Sequence, residues 1–134
     1  MIKSRLKKLK DQFVKYNLDG YVIPKNDEFF SEYSNKDRLG FISNFKGSAG
    51  YAIVLKNKNY LFVDGRYSIQ AKIESGKNFK IIDYKEIRDI KIFKNLNLGI
   101  DPKLFTSDQI KKFFLKNNRV KIINENLVDN IFKA

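Results

Sequence analysis

The sequence predicts an α/β domain, a mixed sheet of about six strands with helices on both faces. Three observations carry this. Short β-branched and aromatic runs alternate with segments of helical apolar spacing. Two of those runs are joined by a four-residue polar turn. The chain's 134 residues, 43% of them hydrophobic, match the size and composition of one buried core. The whole span, 1–134, is therefore read as a single domain.

Taken in order, Ile2, Leu6, Leu9, Phe13 and Tyr16 recur at helical spacing, and Asn17-Leu18-Asp19-Gly20 predicts the helix stop. Tyr21-Val22-Ile23 is a short strand, closed by Pro24 and the turn-forming Asn26-Asp27. Residues 28–50 read as a long irregular connection with three glycines, a kind of segment that is usually functional or mobile. Tyr51 to Leu55 and Tyr60 to Val63 flank Lys56-Asn57-Lys58-Asn59 and should pair as an antiparallel hairpin. Asp64-Gly65-Arg66 breaks the second of these strands, and Tyr67 to Ser75 reads as helix. Phe79 to Ile82 is a strand, Glu86 to Lys94 a helix, and Leu98-Gly99-Ile100 a strand stopped by Asp101-Pro102. Thr106-Ser107-Asp108-Gln109 matches a capping box, continued by Ile110, Phe113 and Phe114, before a last strand over Val120 to Ile123. The segment from Asn126 to Ala134 is apolar enough to be packed, and reads as a junction to a further domain.

Composition excludes several functions. With no Cys there is no disulfide framework, and a reducing compartment is compatible with the chain. The charged start, Met1 to Lys8, lacks the apolar run of a secretory signal, and no window approaches the ~18 apolar residues of a membrane span, so a soluble chain without a membrane partner is expected. The net charge of +12 raises the question of nucleic acid. However, lysines outnumber arginines 22 to 5 and are dispersed along the chain, which points to a solvated basic surface with no specific nucleic-acid partner.

With neither His nor Cys, the chain lacks the imidazole and thiolate ligands that zinc, copper and iron sites generally use, and it lacks the usual imidazole acid–base arrangements. Its carboxylates match no calcium-loop spacing, and Gly47-Ser48-Ala49-Gly50 matches no phosphate-cradling loop. Two segments have chemical character. Asp64-Gly65-Arg66-Tyr67 puts a carboxylate, a glycine and a guanidinium at a strand end, either as a cleft-facing group or as a turn in which Asp64 caps the next helix and Arg66 is solvated. Residue chemistry alone favours the turn. Ser31-Glu32-Tyr33 is the second, and a Glu in such a loop is ordinarily just exposed.

The order of the segments adds a resemblance. Tyr21-Val22-Ile23-Pro24, Ser31-Glu32-Tyr33, the stretch Phe41 to Gly50, Asp64-Gly65-Arg66-Tyr67, Gly99-Ile100-Asp101-Pro102 and Asn126-Leu127-Val128-Asp129 resemble, in register, the N-terminal domain of aminopeptidase P, of the creatinase/prolidase N-terminal domain family. The resemblance implies an accessory domain of an Xaa-Pro metallo-aminopeptidase, which removes an N-terminal residue preceding proline. In that family a separate C-terminal pita-bread domain holds two divalent metal ions, typically manganese, and activates a bridging water. The resemblance thus places no catalytic residue and no metal ligand in this chain, which alone is expected to be inactive. Its implied partners are a peptide with proline in second position and the absent C-terminal domains. By residue-to-residue correspondence, Glu32 helps receive the substrate ammonium and Arg66 faces the substrate cleft. Where relatives often carry a His three residues before the Glu, this chain has Phe29. The Asn-Leu-Val-Asp ending is similar to the cytosolic three-domain branch, so a cytoplasmic location is expected. Two alternatives share the layout: a prolidase or creatinase-like enzyme, and an inactive pita-bread relative serving as a protein-interaction module.

Overall fold

The computed structural model describes residues 2–25, 37–47, 50–83, 95–106, 108 and 118–132. Six strands form one sheet: β1 (Gly20–Pro24), β2 (Tyr51–Leu55), β3 (Asn59–Val63), β4 (Lys80–Asp83), β5 (Asn97–Ile100) and β6 (Arg119–Ile122). Their order across the sheet is β4-β3-β2-β1-β5-β6. β2 pairs antiparallel with both β1 and β3, whereas the β3–β4, β1–β5 and β5–β6 pairs are parallel. The mixed sheet expected from the sequence is therefore present. The β2–β3 pair is the hairpin read from Lys56-Asn57-Lys58-Asn59.

Period-two alternation splits the strand residues between two buried layers. Tyr21, Ile23, Ala52, Val54, Leu61 and Val63 face a layer completed by helices α1 (Ile2–Asp11), α2 (Phe13–Tyr16), α3 (Arg38–Ser43), α4 (Ser68–Ser75) and α5 (Asp129–Phe132), through Leu6, Leu9, Phe13, Leu39, Ile42, Ala71 and Ile131. Val22, Ile53, Tyr60, Phe62, Ile82, Leu98 and Ile100 form the second layer on the opposite face. The helices expected over 86–94 and after Thr106 lie outside the described residues.

The helical run ends within the predicted stop, at its first residue Asn17, though by an asparagine cap and not by Gly20. Asn17 takes the left-handed conformation (φ 55°), and its N–H and that of Leu18 return to Val14 and Phe13 carbonyls. Gly20 is not the stop but the first residue of β1. A Cβ there would lie 3.0 Å from the Val54 carbonyl oxygen and would collide with Leu55, so close strand packing demands the glycine.

The connection read as irregular contains α3. Asp37 caps it, accepting from the Gly40 N–H at 2.9 Å. Arg5 on α1 stacks over the Phe41 ring at 4.1 Å and donates to the Phe41 carbonyl at 2.7 Å, so the helices lock together.

The terminal segment is docked, as its apolar pattern implies: Leu127 and Val128 are buried. Asn126 donates to Asp101 at 3.0 Å and accepts from the Val128 and Asp129 N–H groups. Asp129 then receives both Nε (2.8 Å) and Nη2 (3.0 Å) of Arg38, a buried two-pronged ion pair. The segments Gly99-Ile100-Asp101-Pro102 and Asn126-Leu127-Val128-Asp129 are thus parts of one stitch across the fold.

Candidate functional site at the carboxyl ends of the strands

Parallel pairing brings the carboxyl ends of β1, β3, β4, β5 and β6 to one edge of the sheet. That edge is where open α/β sheets place their ligands, because side chains from several loops converge there. Pro24 at the end of β1 pairs with Tyr51, and Tyr51 pairs with Phe62 near the end of β3. Strand spacing of about 4.8 Å sets the β1 and β3 ends roughly 10 Å apart. The Tyr51 and Phe62 rings stack at 4.9 Å between them.

Asp64 follows β3 directly. Its Oδ1 accepts from the Arg66 N–H at 3.0 Å, capping a 3-10 turn over Gly65–Tyr67 that leads into α4. The capping turn expected from residue chemistry is therefore present. At Gly65 the backbone passes close to Asp83 at the end of β4, where a Cβ would stand 2.7 Å from a carboxylate oxygen and displace that side chain. Arg66 is held at its base: Nε donates to Asp64 Oδ1 at 3.3 Å and the guanidinium lies 5.7 Å from the Tyr67 ring centroid. Tyr67 in turn meets the buried Phe45 edge-on at 6.2 Å. Arg66 is 80% exposed, and among the described residues its two terminal nitrogens have no partner. A guanidinium oriented in this way offers a planar fork of donors to a carbonyl or carboxylate arriving from solvent.

Glu32 lies outside the described residues, as do Phe29, Ser31 and Tyr33. The chain that bears them leaves from Lys25 and returns at Asp37, and these two form an ion pair of 2.6 Å at the end of β1. The segment carrying Glu32 is thus rooted at the same sheet edge as Arg66. Sequence reasoning missed Lys25 and Asp37. The one local signal was Asp37 standing three residues before Gly40, a helix-capping spacing.

The chain contains no His or Cys, and among the described residues no three acidic, His or Cys side chains come together. The described residues do not assemble a binuclear metal centre. What this edge holds is a guanidinium anchored at its base and an ion pair at the loop's root.

Residues 5–126 match the Creatinase/Prolidase N-terminal domain. The chain belongs to this family. Among relatives of this creatinase/prolidase N-terminal domain, the probable Xaa-Pro aminopeptidase P of Laccaria bicolor is 37% identical, over 94% of this chain and 22% of the relative. Xaa-Pro aminopeptidase 2 of Rattus norvegicus is 34% identical over 93% of this chain and 20% of its own length. The chain thus spans about a fifth of the curated relatives it matches. Its fold superposes on the X-prolyl aminopeptidase of Caenorhabditis elegans, a cytosolic enzyme with a di-nuclear active site, with a TM-score of 0.84 and 26% identity, over 100% of this chain and 26% of that one. It also superposes on the N-terminal domain of the cytoplasmic peptidase PepQ of Mycobacterium tuberculosis, with a TM-score of 0.72 over 96% of this chain and 98% of that one. At 22% identity, that likeness bears on fold alone. Among the described residues no helix is long and apolar enough to cross a membrane.

Proposed function

We propose that this chain is the accessory N-terminal domain of an Xaa-Pro aminopeptidase, shaping the cleft in which a peptide with proline in second position is cleaved. The observation that carries the reading is the 34–37% identity to Xaa-Pro aminopeptidases across more than nine-tenths of the chain. The same relatives favour an aminopeptidase over a prolidase, being named Xaa-Pro aminopeptidases at 34–37% identity. In this reading residues 1–134 are one domain, cytoplasmic in location. A separate pita-bread domain holds two divalent ions, manganese by family habit, whose chemistry is activation of a water. The interaction-module alternative is distinguished by whether that domain keeps its ligands.

Within this scheme the domain's own groups orient substrate. Arg66, anchored through Nε, presents its terminal nitrogens to a substrate carbonyl. Glu32, on the segment rooted at Lys25 and Asp37, takes the ammonium of the residue to be removed. In this reading each acts on substrate placement, and activation of a water would fall to the catalytic domain.

The test joins this chain to its catalytic domain, or exchanges it for the corresponding domain of the Rattus norvegicus relative, and measures cleavage of an Xaa-Pro peptide. Arg66→Ala and Glu32→Ala should each lower kcat/KM roughly tenfold to a hundredfold, the worth of a lost charged hydrogen bond of about 1.5–3 kcal/mol, with metal content unchanged. Wild-type kinetics in both variants would leave Arg66 as a solvated turn residue and Glu32 as an exposed loop residue.

A further inference from the structure

Lysines dispersed in the sequence are gathered by the fold at the other end of β3. Two adjoining cavities, of about 420 and 280 Å³, meet where Asn59 and Asn78 line both. The larger takes Lys58 from the hairpin turn, Lys77 from the turn after α4 and Lys80 from the start of β4. The smaller takes Lys3, Lys7 and Lys10 from one face of α1, with Asp11 the one carboxylate in either lining. Between the cavities, Asn59 Nδ2 donates to the Asn78 carbonyl at 2.9 Å and fixes the shared floor. Helix, hairpin and strand start thereby border one open depression, linked at its floor by this hydrogen bond. β3 separates this cleft from the Arg66 edge by roughly 13 Å, at about 3.3 Å per residue.

What sets these six ammonium groups apart is their gathering around one depression, since among the described residues Lys8, Lys46, Lys72 and Lys103 have no ion pair either. Lys15, Lys25 and Lys56 each have a carboxylate within 4 Å, on Glu125, Asp37 and Asp19 respectively. Among the described residues none of Lys3, Lys7, Lys10, Lys58, Lys77 or Lys80 is ion-paired. A cleft of one sign focuses its field, and like charges held together unneutralised favour a multivalent counter-ion. Burial holds the Lys10 ammonium below its ordinary pKa.

We propose that this cleft binds a compact chain of linked phosphates, such as an inorganic or nucleoside polyphosphate. Ammonium groups act as point charges that accept tetrahedral phosphate oxygens from any direction, and the lining has no guanidinium fork of the kind that selects planar carboxylates. The aromatic residues of the lining, Tyr60 and Phe79, are 3% and 4% exposed, so no ring face is available for a stacked base. The concavity suits a dense small anion better than an extended nucleic-acid backbone.

Calorimetric titration of the 134-residue chain tests this. Domains of this fold stand alone, as the separately solved Mycobacterium tuberculosis domain shows. Sodium tripolyphosphate should bind one per chain, about tenfold or more tighter than orthophosphate, and weaken as salt rises. ATP binding as tightly as tripolyphosphate assigns recognition to the phosphate chain alone, and tighter ATP binding assigns part of it to the nucleoside. The triple variant Lys58→Gln, Lys77→Gln, Lys80→Gln should lose roughly tenfold or more in affinity. The charge-matched variant Lys8→Gln, Lys46→Gln, Lys103→Gln should stay within about twofold, because those residues lie outside the cleft. In the unaltered chain, tripolyphosphate should protect the six cleft lysines from acetylation ahead of the others. Equal losses in the two variants, several ions per chain, uniform protection, or a single-stranded oligonucleotide displacing tripolyphosphate would each overturn the proposal.

Discussion

Two Arg–Asp pairs in this domain have the same chemistry and opposite circumstances. Arg38 is 1% exposed and grips Asp129, 91 positions away, with two nitrogens at 2.8 and 3.0 Å. Arg66 is 80% exposed and touches Asp64, two positions away, through Nε alone at 3.3 Å. The first pair spends its donors inside the protein and joins distant segments. The second orients a side chain and leaves its terminal donors turned to solvent. Burial and sequence separation, more than residue type, set whether such a pair joins distant segments or leaves its donors to solvent.

Cutting the buried pair should have the largest effect. Asp129→Ala strands the Arg38 guanidinium without its carboxylate and should cost about 3–5 kcal/mol in urea unfolding, while Arg66→Ala should stay within about 0.5 kcal/mol. Equal costs would erase the contrast. Replacing both Arg38 and Asp129 by apolar residues of similar volume should recover most of the loss, because burying an ion pair is itself costly. Next comes Asn126→Ala, which removes the carboxamide that receives two backbone N–H groups and donates to Asp101. It should cost about 1–2 kcal/mol, in the range of a lost helix cap, and raise hydrogen exchange at Val128 and Asp129 first.

The smallest effect belongs to Tyr21, whose buried hydroxyl accepts from the Leu127 N–H at 3.3 Å beside the same terminal segment. Burial holds its phenol well above the ordinary tyrosine value of about 10. Since the folded state keeps that proton more tightly than the unfolded chain, the associated stability is fully present below pH ~10 and is lost as pH rises beyond it. Tyr21→Phe should cost about 1 kcal/mol at neutral pH and flatten the alkaline decline measured by thermal unfolding between pH 9 and 11. An unchanged alkaline limb would separate Tyr21 from the terminal stitch.

Most strands were legible as runs of β-branched or aromatic residues between turn formers, β5 (Asn97–Ile100) chiefly by the Asp101-Pro102 stop that follows it, and the alternation of Leu61 and Val63 against Tyr60 and Phe62 marks two buried faces. The hairpin was legible because its turn is local. The parallel pairing of β1 with β5 was not, since Tyr21 and Gly99 meet through a tertiary register that no neighbouring residue encodes. α3 escaped because six residues with Gly40 in the middle give little helical periodicity, and its cap, Asp37, is already engaged with Lys25. At the site, Asp64-Gly65-Arg66 was visible as a strand-ending turn, and the cap is where it was expected. The Arg38–Asp129 pair and the gathering of Lys58, Lys77 and Lys80 were invisible, because charges meeting across the fold leave no spacing to read.

The stitch made by Asn126 and Asp129 also sets a timetable for synthesis. Arg38 leaves the ribosome long before Asp129, and Asp101 before Asn126, so a growing chain carries an unmatched guanidinium and an unfilled apolar seat beside α1. Domains form as units during translation, and this one closes only when Leu127, Val128 and Ile131 have emerged. Until then the seat stays open, and the core of the amino-terminal helices keeps an exposed apolar edge.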